Sequence, residues 1–166
     1  ENIYIQPASG DAGGALGCAL AINHMYYDQD RVFTNDRDLM KGSYLGSYYS
    51  DKEVWIMNKK FKAVVEKYES FQNLSEDVAK LISQGSIVGW VQGRSEFGPR
   101  ALGNRSILAD PRNTEMQKKL NLKIKYREGF RPFAPSVLAE DYNDFFEGKN
   151  KNPYMLLVKN IKESIR

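Results

Sequence analysis

The densest chemistry in this 166-residue chain lies in Gly93-Arg-Ser-Glu-Phe-Gly-Pro-Arg-Ala-Leu-Gly-Asn-Arg-Ser106, where Arg94, Arg100 and Arg105 are interleaved with three glycines and Pro99. Folding alone does not call for such a composition. A guanidinium fork matches phosphate or carboxylate oxygens two at a time, and glycine lets backbone amides come close to an anion. The loop therefore reads as a cradle for bound phosphate or carboxylate. The plain alternative is that Arg94 or Arg100 pairs with Glu96 or a distant acid while the glycines only serve turns. Glu96 by itself cannot neutralise three arginines.

A second cluster is Lys123-Ile-Lys-Tyr-Arg-Glu-Gly-Phe-Arg-Pro-Phe-Ala-Pro-Ser136. If residues 124–127 are extended, Lys125 and Arg127 share one side and Ile124 and Tyr126 the other. A compact lysine charge beside an arginine fork suits a phosphate group that gains charge in a transition state. The alternative is a solvated face, which fits Lys118 and Lys119 better than Lys125 or Arg127. Pro132 and Pro135 stiffen the path after Arg131, and Phe130 and Phe133 offer either ring surface to a ligand or core.

Between Arg94 and Arg131 ten basic residues face four acids, an excess of six, so the remainder of a chain of net charge +3 carries −3. The positive field is local, as an anionic ligand requires, whether a small phosphate compound or a nucleic acid. Against a nucleic acid stands the shortage of aromatics interleaved with the cations.

The elements that must hold these residues follow from pattern. Residues 2–7 read as a short strand ending at Pro7, then a glycine loop, then a helix from Ala15 to about Tyr27, an arrangement able to hold phosphate or metal. Residues 28–49 read as a connector. Ser50 and Glu53 form a capping box for a helix over 51–67. A further helix is expected from Ser75 to Gly85, then a buried strand over 86–92, the arginine loop, a strand over 106–109, and a helix over 114–122 capped by Asn113. The tail suggests strands near 136–138 and 154–158 with a short helix at 140–146. The mixed order gives an α+β class, or an irregular α/β layer.

Composition places the chain among globular proteins, because 42% apolar and 12% aromatic residues suffice to offset the entropy of folding. Cys18 is the only cysteine and His24 the only histidine. An internal disulfide is thereby excluded, and His24, inside a helix, is expected to be structural. No stretch is apolar enough to span a bilayer, and with Glu1 in place of a basic, apolar leader the expectation is a cytoplasmic location without a membrane partner.

Residues 93–109 together with Lys125-Tyr-Arg-Glu-Gly-Phe-Arg-Pro-Phe-Ala-Pro135 resemble the signature of the carbamoyltransferase family of the nodulation-protein and antibiotic O-carbamoylation type. The resemblance covers about 45–158, and residues 7–21 are similar to the end of the family's preceding catalytic domain. It implies a Kae1-like domain of actin-like ATPase fold, of which 1–44 would be the remnant and connector. Residues 45–166 would be a YrdC/Sua5-like domain, a twisted open sheet with flanking helices, short of its end. It further implies that carbamoyl phosphate and ATP, with Mg2+, are joined into carbamoyl adenylate before transfer to a hydroxyl-bearing acceptor. Lys125, Arg127 and Arg100 would be catalytic, and Arg94, Glu96, Arg105, Ser106 and Arg131 would bind substrate or nucleotide.

Asp11, in Ser9-Gly-Asp-Ala-Gly13, sits where Kae1-like proteins place an aspartate at a metal site. Fe2+ or another divalent metal would then belong to the complete enzyme, with no metal expected here. Complete turnover by this chain alone is not expected, and a surface made to pack on the absent domain would favour self-association. The competing class is a non-catalytic nucleotide- or RNA-binding module built on the same basic segment, and a third is a purely structural domain.

Overall fold

The computed structural model describes residues 4–32, 38–148 and 150–165. Its contacts divide the chain into two units, the first built from residues up to Tyr48, from Gln92–Arg105 and from Leu138 onward, the second from Tyr49–Val91 and Ser106–Val137.

In the first unit, helix α1 (Asp11–Ala21) runs on as a π-helical turn, Ile22–Tyr26. It begins four residues before the expected Ala15 because the glycine run itself is helical. The Gly13 amide donates to the Ala8 carbonyl at 2.9 Å, and a Cβ at Gly13 would fall 2.5 Å from that oxygen, so only glycine fits. Of the strand expected over 2–7, residues 2 and 3 lie outside the described residues, and 4–6 form no strand. His24 sits in the π turn, where its Nδ1 meets the Gln29 carbonyl oxygen at 2.6 Å.

A 3-10 turn, Lys41–Ser43, follows within the expected connector. The tail departs from expectation. No strand forms near 136–138, and none near 154–158, where the Asn152 carboxamide oxygen takes the Leu156 amide at 3.0 Å and folds the segment into a turn. Its only β-bridge among the described residues is the antiparallel one between Phe146 and Ile161, which follows a short helix, Tyr142–Phe145.

In the second unit, α2 (Asp51–Phe61) starts with the expected capping box: the Glu53 amide donates to Ser50 Oγ at 3.4 Å, and the Ser50 amide to Glu53 Oε2 at 2.8 Å. It stops short of residue 67, since Lys62 turns left-handed at φ 52°. The apolar side chains Val54, Trp55, Ile56, Met57 and Phe61 stay exposed.

Helix α3 (Phe71–Ser83) starts four residues before the expected Ser75, because Ser70 accepts the Asn73 amide at 3.1 Å and is the true cap. Ser75 instead donates its hydroxyl to the Phe71 carbonyl at 2.8 Å. Leu74, Val78 and Ile82, spaced by four, form its less exposed stripe. The chain leaves the helix at Gly85, as expected, with φ 87°.

Strands β1 (Val88–Val91) and β2 (Arg105–Leu108) form a two-stranded antiparallel sheet. The expected buried strand is only half covered, since Gly89 and Val91 are exposed. Helix α4 (Met116–Leu120) is shorter than the expected 114–122 because the chain widens into a π turn, Asn121–Lys125. Asn113 accepts the Glu115 amide at 3.0 Å, so it organises the approach to the helix. Met116, Leu120 and, in the first unit's α5 (Tyr142–Phe145), Tyr142 are the buried apolar side chains among the described residues. Mixed helices and one small sheet give the α+β class.

Candidate functional site

The arginine loop of the first unit is folded around one carboxylate. Glu96 Oε1 accepts the amides of Leu102 and Asn104, each at 2.8 Å, and of Arg105 at 3.2 Å. Burial pushes the Glu96 carboxyl upward, but the amides of Leu102, Asn104, Glu96 itself and Arg105 outweigh it and hold the group below the ordinary glutamate value.

Two of the three arginines are turned onto backbone carbonyls. Arg94 Nη1 donates to Gly46 at 2.9 Å. Arg105 Nη1 donates to Gln92 and to Asn104, each at 2.7 Å, and its Nη2 to Gly93 at 3.1 Å. These bonds exploit the guanidinium as a multiple donor and hold both ends of the loop in place.

Arg100 differs. It is exposed, has no hydrogen bond or ion pair among the described residues, and lines a cavity of about 400 Å³ with Ser9, Ser43, Phe97, Leu102 and Tyr154. Gly98 allows the loop to reach this wall: its φ is 108°, and a Cβ there would stand 2.6 Å from the Ala8 Cβ. Tyr154 donates its hydroxyl to Asp38, which also accepts the amides of Met40 at 2.9 Å and Gly42 at 3.0 Å. Burial, then the bond to Asp38, pushes the Tyr154 hydroxyl up to about 12, so it stays a donor at neutral pH. Burial opposes, but those three donors hold the Asp38 carboxyl below its ordinary value.

The second basic cluster lies in the other unit. Residues 124–127 are not extended: Lys125 closes the π turn, and Tyr126 is left-handed at φ 49° and ψ 51°. The alternation that would put Lys125 and Arg127 on one strand face therefore does not apply, because helical packing on Met116 and Leu120 carries the chain past residue 122. Arg127 Nε donates to Asn121 Oδ1 at 2.7 Å, and its guanidinium carbon lies 4.9 Å from the centre of the Phe133 ring. Lys125 is exposed, with no hydrogen bond or ion pair among the described residues. Arg131 pairs with Glu128 at 2.8 Å on the surface, a contact of small energetic weight.

Ser106 stands on β2, and Asp11 is exposed in the first turn of α1. No group of three His, Cys, Asp or Glu able to hold a metal occurs among the described residues, so Asp11 offers one ligand and not a site. No helix among the described residues is long and apolar enough to cross a membrane.

Asn121 and Gln117 were not legible as site residues. Asn121 is fully buried next to Leu120, and Gln117 Nε2 donates to the carbonyls of Phe130 at 3.1 Å and Arg131 at 3.2 Å. The one available signal is a polar residue continuing the apolar face begun by Met116 and Leu120. In sum, Arg94, Glu96, Arg100 and Arg105 gather in the first unit, and Lys125, Arg127 and Arg131 in the second.

Residues 79–166 match the family profile described as Carbamoyltransferase C-terminus. An uncharacterized protein of Synechocystis sp. is 52% identical across the whole chain, which covers 27% of that relative. The nodulation protein NolNO of Sinorhizobium fredii is 43% identical across the whole chain, which covers 24% of it. The 3'-hydroxymethylcephem-O-carbamoyltransferase of Amycolatopsis lactamdurans is 32% identical over 99% of the chain and 28% of the relative. The chain thus spans about a quarter of the length of these curated relatives.

Proposed function

This chain belongs to the carbamoyltransferase family, and on that premise we propose that it serves the activation of carbamoyl phosphate with ATP: water cleaves carbamoyl phosphate to carbamate and phosphate, and a carbamate oxygen then displaces pyrophosphate at the α-phosphorus of ATP to give carbamoyl adenylate. The carbamoyl group then passes to a hydroxyl acceptor through the whole enzyme. The observation that carries the reading is Arg100: in a loop whose other two arginines are spent on backbone carbonyls, this guanidinium alone is left open on a cavity wall. A free fork there gives a phosphate or carboxylate oxygen two charge-assisted donors.

In this assignment Glu96, Arg94 and Arg105 build the loop and Arg100 grips the ligand. In the second unit, taken by itself, Lys125 and Arg127 offer positive charge to a phosphate group and Ser106 a hydroxyl, while Arg131 shares its charge with Glu128. ATP enters as its Mg2+ complex, the ion neutralising phosphate charge as a part of the substrate. The finer fold assignment, a YrdC-like domain joined to the end of a Kae1-like domain, belongs to the same proposal, and so does a cytoplasmic location.

The test is calorimetric titration of the chain with MgATP and, separately, with carbamoyl phosphate. Arg100→Ala removes an exposed side chain with no partner among the described residues, so the fold should be unchanged by circular dichroism. At least one ligand should bind about tenfold more weakly, as loss of a charge-assisted bond predicts. Equal affinity of parent and variant for both ligands would remove Arg100 from the site.

A further inference from the structure

Asn121 has no exposed surface at all, although it follows directly on the buried Leu120 of α4. A carboxamide offers two N–H donors and one carbonyl acceptor, and leaving them unpaired in the interior is costly. Here both ends are used. Nδ2 donates to the carbonyls of Gly129 at 3.2 Å and Arg131 at 2.8 Å, and Oδ1 accepts Arg127 Nε at 2.7 Å. The Arg127 amide also donates to the Asn121 carbonyl at 3.0 Å. One buried residue thus ties the turn carrying Arg127 to the helix.

The consequence is for the guanidinium. Its Nε edge is taken by Asn121, and its plane lies near the Phe133 ring, at 4.9 Å. Its Nη1 and Nη2 groups donate to no acceptor among the described residues. Glu128, whose carboxyl the charge of Arg127 helps to lower, is paired with Arg131 at 2.8 Å and makes no hydrogen bond to the Arg127 guanidinium. A fork fixed along Nε keeps its end-on pair of N–H groups, spaced for two oxygens of one phosphate.

We propose that Asn121 is a positioning residue, holding Arg127 by Nε so that the Nη1 and Nη2 pair is presented to a phosphate group. This rests on the assignment of Arg127 to an anion given above. A buried leucine of similar size would make none of these hydrogen bonds and would leave Arg127 to swing freely, losing the benefit of a preorganised donor.

A double-mutant cycle tests it, with MgATP as the probe in calorimetry. Asn121→Ala should weaken binding by about tenfold in the parent chain and have no further effect in Arg127→Ala, because the role of Asn121 passes through that guanidinium. The same loss in both backgrounds, or none in either, would overturn the proposal. Since Asn121→Ala removes buried hydrogen bonds and can impair folding, nitrogen-15 spectra of the unaltered chain supply a second readout. Arg127 Nε–H should exchange slowly with water before MgATP is added and keep its shift afterwards, while the Nη signals move. Rapid Nε–H exchange, or an Nε shift on binding, means that Asn121 does not hold the side chain and refutes positioning. If instead Nε–H is protected but Arg127→Ala binds MgATP like the parent, the clamp stands and the assignment of Arg127 to the anion falls, which refutes the proposal through its functional premise.

Discussion

Replacing Glu96 tests whether one carboxylate organises the arginine loop. Its Oε1 accepts three amides, at 2.8, 2.8 and 3.2 Å, from half-buried residues. A hydrogen bond to a charged acceptor contributes about 1.5 to 3 kcal/mol; three donors sharing one partly hydrated oxygen each fall below that range, at about 1 kcal/mol, for a total of about 3 kcal/mol. Glu96→Ala should therefore speed hydrogen exchange at the amides of Leu102, Asn104 and Arg105 by about a hundredfold. Glu96→Gln keeps a carbonyl acceptor and loses only the charge, so it should cost about 1 kcal/mol and speed exchange by less than about tenfold.

The direction with pH follows from the depressed Glu96 carboxyl, whose folded value lies below the unfolded one. The unfolded chain binds the proton more readily, so the contribution is whole above the ordinary glutamate range and is lost as pH falls through the depressed value beneath it. Exchange measured by NMR at a series of pH values, corrected for intrinsic rates, reads both effects. Unchanged protection of the three amides in Glu96→Ala, or protection lost as pH rises, would refute the clamp.

Asp110 is the second titratable marker. Arg112 binds it through its guanidinium, at 2.7 to 3.1 Å, and through its backbone amide at 2.9 Å, drawing the carboxyl down to about 2. In Arg112→Ala the carboxyl should titrate closer to the ordinary aspartate value in carbon-13 spectra; stability from this pair is present above that value and lost as pH falls toward about 2 in the parent. Gly98→Ala places a side chain at φ 108° and 2.6 Å from the Ala8 Cβ, so a loss of about 2 kcal/mol is expected in urea unfolding. Ala8→Gly should restore only the part due to the clash, leaving the backbone strain.

Short-range order was legible in the sequence because its causes lie within a few residues. The Ser50–Glu53 capping box needs only four positions, and the exit of α3 at Gly85 needs only a residue that tolerates a positive φ. The two cationic segments, and the family to which they point, were likewise written in residue types and spacing. The start of α3 was misjudged because Ser70 and Ser75 are both chemically able to cap, and only the backbone shows which one does.

What tertiary structure decided is which charges remain available. Arg94, Arg100 and Arg105 are equivalent as letters; contact with Gly46, distant by 48 residues, and with Gln92 and Gly93 removes two of them from the cavity wall. Glu96 is expected from its loop to contact a ligand, and the fold adds that its Oε1 accepts three backbone amides. Lys125 and Arg127 alternate in a strand but not in a π turn that ends left-handed. Asn121 acquires its role from carbonyls that only the folded turn brings to it. Residue type fixes how many hydrogen bonds a side chain can make, whereas the fold determines which of them are already satisfied, and a binding site consists of those that are not.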